Sequence, residues 1–217
     1  MELRFIGAVA RLQIQRSSLK VGQKPHRVYD TAPLLSVERM SASPDGAIAL
    51  LPDGQEIVDV HHRQHPNSQY AGVNGLSIGF TSHYARMRAR FGDHLFDGCA
   101  GENILIDTGE PPDLSDVQRG VVIRCASIGA DLWLGDIQIA LPCLEFSRYS
   151  LGLPPIEVFG GLPHAERESA EVKSALQFLE HGTRGFYATP ANPGAPVVVS
   201  LGDRVYLPAS GDHGFDS

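Results

Sequence analysis

Residues 120–143 read GVVIRCASIGADLWLGDIQIALPC, and this stretch decides the fold class. The apolar residues of its first segment recur at every second position, as in a β-strand: Val121, Ile123 and Cys125. The Gly135-Asp136 pair then separates two further apolar runs, 132–134 and 137–141. Because glycine and aspartate favour turns, the stretch predicts three short strands in succession.

The same pattern recurs on both sides of this stretch. Residues 47–60 form two apolar runs around the turn 52–54 (Pro-Asp-Gly), which predicts a hairpin that delivers His61 and His62 to a strand end. Further short strands are predicted at 103–107, 185–189, 197–200 and 204–207. Many short strands separated by Gly and Asp turns favour a mainly β domain, either a barrel or a sandwich, with a few helices.

Two helices interrupt the strands. The first is predicted at 82–91, begins at Ser82 as N-cap and carries an apolar stripe. The second is predicted at 165–181 and ends before Gly182, a suitable C′ residue. The segment 151–162 is rich in proline and glycine and is predicted to be a long loop.

Composition narrows the function classes. The formal net charge of −7 argues against nucleic acid as a partner, because binding a polyanion needs a basic surface. No apolar run approaches the roughly 18 residues of a membrane span. Three cysteines without a CxxC pair suggest neither a disulfide framework nor a cysteine zinc site, so a cytoplasmic protein is expected. We expect one domain over 1–208, with its core at about 45–208 and a flexible tail at 209–217.

Cys143 is the main candidate for chemistry. It follows Pro142, which has no N–H to continue a ladder, so the thiol is expected at a strand end. Arg148, five residues on, would favour the thiolate if the chain folds back. The alternative is that Cys143 is a buried small apolar residue, as free cysteines often are. Core packing is the better interpretation for Cys125, and Cys99 is left open.

A group of histidines could supply metal ligands. Asp59, His61, His62 and His65 offer the carboxylate and imidazole groups that zinc or iron binds. Neighbouring residues of a strand point to opposite faces, however, so His61 and His62 would not converge without a bulge. Histidines that stabilise a loop through hydrogen bonds are the alternative, and a metal-dependent hydrolase is a minor one.

Two further segments are compatible with anion binding. The turn Gly101-Glu102-Asn103 can present backbone N–H groups to an anion. Arg184 follows the end of the second helix, where interaction with the helix dipole is a sufficient structural explanation. Neither segment identifies a function by itself.

Taken in order, these features resemble the MOSC domain, named for the C-terminal region of molybdenum cofactor sulfurases and also found in stand-alone bacterial proteins. The segments that carry the resemblance are 59–61 (Asp-Val-His), 100–104 (Ala-Gly-Glu-Asn-Ile), 135–143 with its Gly-Asp start and Leu-Pro-Cys end, 183–188 (Thr-Arg-Gly-Phe-Tyr-Ala) and 201–205 (Leu-Gly-Asp-Arg-Val). The resemblance is looser over the first forty residues. Where family members often have His-Gly-Gly and an acidic residue, this chain has His61-His62-Arg63.

The resemblance implies a β-barrel in which Cys143 faces a pocket for the pterin form of the molybdenum cofactor. In that family the cysteine sulfur either binds the metal or carries a persulfide, so Cys143 becomes the catalytic residue or the molybdenum ligand. The residues implied to shape the pocket or bind the cofactor are Gly101, Glu102, Asn103, Arg184, Arg148 and His61. Arg184 would meet the cofactor phosphate.

Three functions follow as hypotheses. The first is a reductase of N-oxygenated compounds that receives electrons from a donor protein, because the chain has no iron–sulfur, flavin or nicotinamide motif. The second is a sulfur transferase supplied by a cysteine desulfurase. The third is a non-catalytic module that binds a cofactor or an anion. Pyridoxal phosphate is not expected, because no lysine suits an internal aldimine.

Overall fold

The computed structural model describes residues 2–24, 26–70, 72, 75–154, 169–192 and 195–209. The strands in this part of the chain are β1 (Leu3–Gln15), β2 (Lys20–Val21), β3 (Val28–Tyr29), β4 (Leu34–Val37), β5 (Arg39–Ser43), β6 (Gly46–Leu50), β7 (Glu56–Val58), β8 (Leu76–Phe80), β9 (Ile104–Asp107), β10 (Val121–Cys125), β11 (Ala130–Ile139), β12 (Phe186–Pro190), β13 (Val197–Ser200) and β14 (Arg204–Pro208). The helices are α1 (Thr81–Phe91), α2 (Leu114–Val117), α3 (Leu144–Ser150) and α4 (Ala170–Glu180).

Seven strands close into a barrel. Their order is β14-β10-β11-β12-β8-β9-β1, and the pairing of β1 with β14 completes the ring. Strands β8 and β9 pair in parallel, so the barrel is mixed. Strand β1 is long enough to serve several neighbours: it pairs with β14 from Leu3 to Ala8, with β9 from Ala8 to Leu12, and with β4 from Leu12 to Gln15. The predicted mainly β fold with a few helices is confirmed.

A second sheet packs on the barrel and shares its core. Its order is β13-β5-β6-β7. Met40, Ala49 and Val199 from this sheet are fully buried in one cluster with barrel residues such as Ile78 and Ile123. The predicted hairpin corresponds to β6 and β7. Ile48 lies opposite Val58 at one end of the pairing, and Leu50 lies opposite Glu56 at the other. The chain leaves β7 directly toward His61, as expected.

The region 130–141 differs from its prediction. It was expected to form two strands separated at Gly135-Asp136, but β11 runs unbroken across that pair. The register against β12 shifts between Gly135 and Gln138, and Asp136 has a positive φ of 47°. A β-bulge accommodates such a residue and bends the strand without ending its ladder. The Gly-Asp pair therefore marks a bend in one strand and not a turn between two.

The two predicted helices correspond to α1 and α4, whereas α2 and α3 were not predicted. Helix α1 begins at Thr81, and its N-cap, Phe80, makes no side-chain cap, so Ser82 is not the cap that was predicted. The Ser82 hydroxyl instead contacts the Thr108 hydroxyl at 2.7 Å. Helix α4 begins later than predicted, at a cap in which Ser169 accepts from the Val172 N–H.

Some predicted features fall on residues outside the described ranges. These are the start of the second helix at 165–168, the loop from 155 onward and the tail from 210 onward. None of the helices in the described chain is both long and apolar enough to cross a membrane.

Candidate functional site

A cavity of about 430 Å³ lies at the end of the barrel where β1 ends and β9 begins. Its wall comes from segments distant in sequence: the end of β1, the β2–β3 hairpin, the chain after β7, the start of β8, the turn before β9 and the residues that precede β12. The polar and charged residues among its lining are Gln15, Ser18, Lys20, Lys24, Arg27, Tyr29, His61, Asn67, Gln69, Ser77, Glu102, Asn103, Arg184 and Tyr187. Gly101, Glu102, Asn103, Arg184 and His61, all predicted from the sequence, are thus brought together.

Cations outnumber carboxylates on the cavity wall. Lys20, Lys24, Arg27 and Arg184 contribute positive charge, whereas Glu102 is the one carboxyl residue among the lining residues of the described chain. Arg27 is neutralised by Glu145 at 3.0 Å. Within the described chain the two lysines take part in no ion pair, so the cavity carries a positive charge that its own residues do not balance. Such a wall favours an anionic ligand.

Arg184 connects the cavity to the segment that carries Cys143. Its guanidinium donates to the Leu141 carbonyl at 3.1 Å and to the Ala100 carbonyl at 3.3 Å. The ring of Phe146 lies 5.5 Å from the guanidinium carbon. The Arg184 Nε atom is buried and has no hydrogen-bond partner among the described residues. Since a buried N–H normally has a partner, this donor is available to an acceptor that the described residues do not supply.

Asn103 forms the floor of the cavity. Its amide nitrogen donates to the Gln13 carbonyl at 3.3 Å and to the Asp59 carboxylate at 3.1 Å, and its oxygen accepts from the Ser77 N–H and hydroxyl at 3.0 and 3.1 Å. An amide side chain has two donor hydrogens and two acceptor lone pairs, so all four are used. Asn103 therefore shapes the cavity, and its side chain has no group left for a ligand.

His61 is held on the wall by Asp59. The Asp59 side chain is fully buried, and one of its oxygens accepts from the His61 N–H at 2.8 Å and lies 2.9 Å from His61 Nδ1. A carboxylate at Nδ1 fixes the tautomer that leaves Nε2 with its lone pair. The His61 side chain is 53% exposed, so this nitrogen is accessible to a ligand.

Gly101 allows the turn to approach β1 closely. It has a φ of +91°, and a Cβ atom there would lie 2.7 Å from Gln15 Nε2 and 2.8 Å from Leu19 Cδ1. Gln15 Nε2 in turn donates to the Gly101 carbonyl at 2.8 Å. Both the backbone conformation and the available space therefore require glycine.

Gly101→Ala is expected to lower the free energy of unfolding by about 2–3 kcal/mol, because it adds left-handed backbone strain and displaces the Gln15 amide. Gly54→Ala is the matched control: Gly54 has a φ of +85° with nothing within 4 Å of the added Cβ. Urea denaturation gives the loss for each variant: Gly54→Ala reports the backbone strain alone, and the additional loss in Gly101→Ala reports the crowding against Gln15. Equal losses would contradict the close approach of Gln15 to Gly101.

Cys143 lies beside the cavity and is not among its lining residues in the described chain. It is the N-cap of α3, where its sulfur accepts from the Phe146 N–H at 3.4 Å, and it is partly buried against an aromatic cluster. It follows the end of β11, as expected. The Arg184 guanidinium is close enough to interact electrostatically with this sulfur. Cys125 is fully buried in the core, as predicted, and Cys99 is also buried.

The remaining candidates point elsewhere. Arg148 is largely buried and donates to the Pro154 carbonyl at 2.8 Å, and it does not line the cavity. His62 Nδ1 accepts from the Gln64 N–H at 3.1 Å, and His65 Nδ1 accepts from the Asn67 N–H at 3.2 Å. Burial lowers the pKa of His62. Across the described residues no three His, Cys, Asp or Glu side chains are placed to hold a metal ion, so the histidine-based metal site is not formed.

Sequence reasoning missed the part of the cavity that comes from the first thirty residues. Gln15, Lys20, Lys24, Arg27 and Tyr29 lie in the region where the family resemblance is loose. One signal for them was present in the sequence. The chain has only three lysines, and two of them fall four residues apart in this segment.

No profile of a protein family matches the chain, and no curated protein matches it. Solved structures do. YuaD from Bacillus subtilis is 15% identical, covers 95% of this chain and 98% of its own, and has a TM-score of 0.54. A hypothetical protein is 15% identical over 94% of this chain and 69% of its own, with a TM-score of 0.50. YiiM from Escherichia coli is 16% identical over 83% of this chain and 67% of its own, with a TM-score of 0.47.

At 15% identity the likeness to YuaD is one of fold, and it extends over nearly the whole length of both chains. The closed barrel of seven strands, the accompanying sheet and the four helices of the described chain agree with the fold that the sequence resemblance implied. The chain therefore has a mainly β fold with a closed barrel, as the resemblance to the MOSC domain implied.

Proposed function

We propose that this chain binds the pterin molybdenum cofactor, or a closely similar phosphate-bearing anion, in the cavity at the end of its barrel. The observation that carries the proposal is the excess of cations on the wall of a cavity of about 430 Å³, together with the unpartnered, buried Nε of Arg184. A phosphate is a suitable acceptor for that N–H, because guanidinium–phosphate hydrogen bonds are charge-assisted. The resemblance to the MOSC domain supports the choice of this anion.

The residues on the wall fit such a ligand. Arg184, Lys20 and Lys24 would hold its phosphate, and His61 would offer a hydrogen bond from the opposite segment of the wall. The polar side chains between them suit the hydrogen-bonding edge of a pterin. When bound, the cofactor would supply two-electron redox chemistry.

Cys143 would act beside this cavity in one of two ways. In a reductase its sulfur would be the protein ligand to molybdenum, and an N-hydroxylated substrate would take two electrons from a donor protein and two protons from solvent to give an amine and water. In a sulfur transferase its thiolate would attack the sulfane sulfur of a cysteine desulfurase persulfide, and the desulfurase cysteine would leave as a thiolate. Both functions would need the Cys143 sulfur near the bound anion, and the electrostatic interaction between this sulfur and the Arg184 guanidinium supports such a role.

Protein from a host that makes the cofactor tests these functions. We expect molybdenum and pterin to copurify with the wild type for the reductase, and cyanide-releasable sulfur without pterin for the sulfur transferase. Cys143→Ala is expected to remove the metal or the labile sulfur, respectively, while Cys125→Ala keeps it. Absence of both pterin and labile sulfur from the wild type would contradict both enzymatic functions.

A non-catalytic binding module is the second candidate. It is favoured by one observation, namely that Cys143 does not line the cavity. In that case the affinity of Cys143→Ser for pterin would equal that of the wild type. The same purification therefore decides between a binding module and an enzyme.

A further inference from the structure

Glu102 is held in a slot that the fold builds around its carboxyl group. Its side chain is 4% exposed and lines the cavity. A Cβ at Gly79 would lie 2.7 Å from Glu102 Oε1, and one at Gly185 would lie 3.4 Å from the same oxygen. Only glycine at position 79 therefore leaves room for this carboxyl, whereas an added Cβ at Gly185 would clash with the Ile78 carbonyl oxygen at 2.6 Å and only touch the carboxyl.

A buried hydroxyl, that of Tyr84, helps to hold the carboxyl in place, and the backbone N–H of Glu102 is a second donor to it. The Tyr84 hydroxyl lies 2.9 and 2.7 Å from the two Glu102 oxygens and itself accepts from the Ala100 N–H at 3.0 Å. A tyrosine hydroxyl has one hydrogen to donate, so it can satisfy only one lone pair of the carboxylate at a time. No ion pair to Glu102 is formed within the described chain.

Holding a carboxyl in this way costs stability. Burial raises the pKa of Glu102 to about 7, although the Tyr84 hydrogen bond opposes that shift. An acid whose pKa is raised by folding binds its proton more tightly in the folded protein than in the unfolded chain. The free energy of unfolding therefore falls as pH rises from the ordinary pKa of glutamate to about 7. A glutamine of the same shape would avoid this loss. The fold therefore gains no stability from the charged form of this carboxyl.

We propose that Glu102 is the proton-donating residue of the cavity: it takes a proton from solvent when an anionic ligand enters, and holds that proton on a carboxyl oxygen at the ligand. This inference rests on the anion binding proposed above and goes beyond it. An anion placed beside a buried carboxylate would be repelled, and protonation of the carboxyl removes the repulsion and turns an acceptor into a donor. The reduction proposed above consumes two protons from solvent, and such a donor would relay one of them to the substrate.

Other charged and titratable groups surround Glu102 and must be separated from it. Those that interact with it are Tyr84 from α1, Arg184 from the segment before β12, Tyr29 from β3, and Cys99 and Asp97 from the loop before β9. Elsewhere on the wall lie Lys20, Lys24, Arg27 and His61. Of these groups, His61 carries the one imidazole, so it needs its own control variant.

Sulfate is the appropriate probe because its charge is fixed across the neutral range. Calorimetric titration at about pH 7.5, in buffers of different ionisation enthalpy, counts the protons bound with each sulfate. We expect the wild type to take up about half a proton per sulfate and to bind sulfate about tenfold more weakly at pH 9 than at pH 6. Glu102→Gln should lose most of the uptake and bind more tightly at high pH. His61→Asn should keep the part of the proton uptake that comes from Glu102. Glu56→Gln, at an exposed position, should match the wild type in both proton uptake and sulfate affinity.

Infrared difference spectra of the wild type provide a second measurement that needs no variant at Glu102. Sulfate should increase the carbonyl band of a protonated carboxylic acid. Sulfate binding with no such band, or with equal proton uptake in the wild type and Glu102→Gln, overturns the role of Glu102 and leaves the anion site standing. No binding of sulfate to the wild type overturns both this role and the proposed anion site.

Discussion

Arg184→Met is expected to weaken sulfate binding by at least about 30-fold, because it removes a largely desolvated cation whose Nε has no partner among the described residues. Methionine keeps much of the side-chain length and its packing on Phe146, so the change is mainly one of charge and hydrogen bonding. Calorimetric titration with sulfate measures the effect, and circular dichroism confirms that the variant is folded. Arg39→Met, on an exposed position of β5, is the matched control. Equal affinity in both variants would contradict a binding role for Arg184.

Arg184→Lys separates charge from geometry. A lysine restores the positive charge but cannot reproduce the planar set of donors that reaches Leu141, Ala100 and the cavity at once. We expect its affinity for sulfate to lie between those of Arg184→Met and the wild type. Full recovery would mean that the net charge alone attracts the anion.

Asn103→Asp is expected to lower the free energy of unfolding by about 3–5 kcal/mol at neutral pH. The amide nitrogen that now donates to Asp59 at 3.1 Å and to the Gln13 carbonyl would become an oxygen facing two acceptors. One of these acceptors is a fully buried carboxylate, so two like charges would share a site without water. Urea denaturation measures the loss.

The pH dependence of that loss follows from the paired carboxyl groups. Repulsion raises the pKa of one group of such a pair in the folded state, so its destabilising effect is present above the ordinary aspartate range. As pH falls, one carboxyl takes a proton and again donates to its neighbour. The difference from the wild type should therefore shrink toward about pH 4. Asn67→Asp at an exposed position is the control and should change stability by less than about 0.5 kcal/mol. A loss that does not depend on pH would contradict the carboxylate pair.

The fold class was predictable because strand periodicity and turn residues act locally. The hairpin of β6 and β7 follows directly from its Pro-Asp-Gly turn. The continuity of β11 was not predictable, since Gly135-Asp136 suits a turn and a bulge equally and only pairing with β12 decides between them. Strand β1 was missed because no adjacent hairpin marks it: its barrel neighbours β14 and β9 lie far away in sequence.

The candidate site was predictable only where short motifs carried it. Gly101, Glu102, Asn103, His61 and Arg184 do meet at one cavity. The position of Cys143 beside that cavity depends on how the chain turns after Ile139, and the Leu-Pro-Cys motif does not specify that turn. The slot around Glu102 and the four hydrogen bonds of Asn103 arise from tertiary contacts alone, so no local pattern could indicate them.

The network around Asn103 also bears on how this cavity can evolve. Asn103 joins β1, β8 and the chain after β7 through buried hydrogen bonds, so a change at Asn103 perturbs the part of the barrel where these segments meet. The rim is different, because it includes exposed side chains whose exchange leaves the barrel core untouched: Ser18, Lys24, Asn67 and Gln69. Ligand preference in descendants of this chain can therefore diverge at the rim, while the floor is constrained by folding.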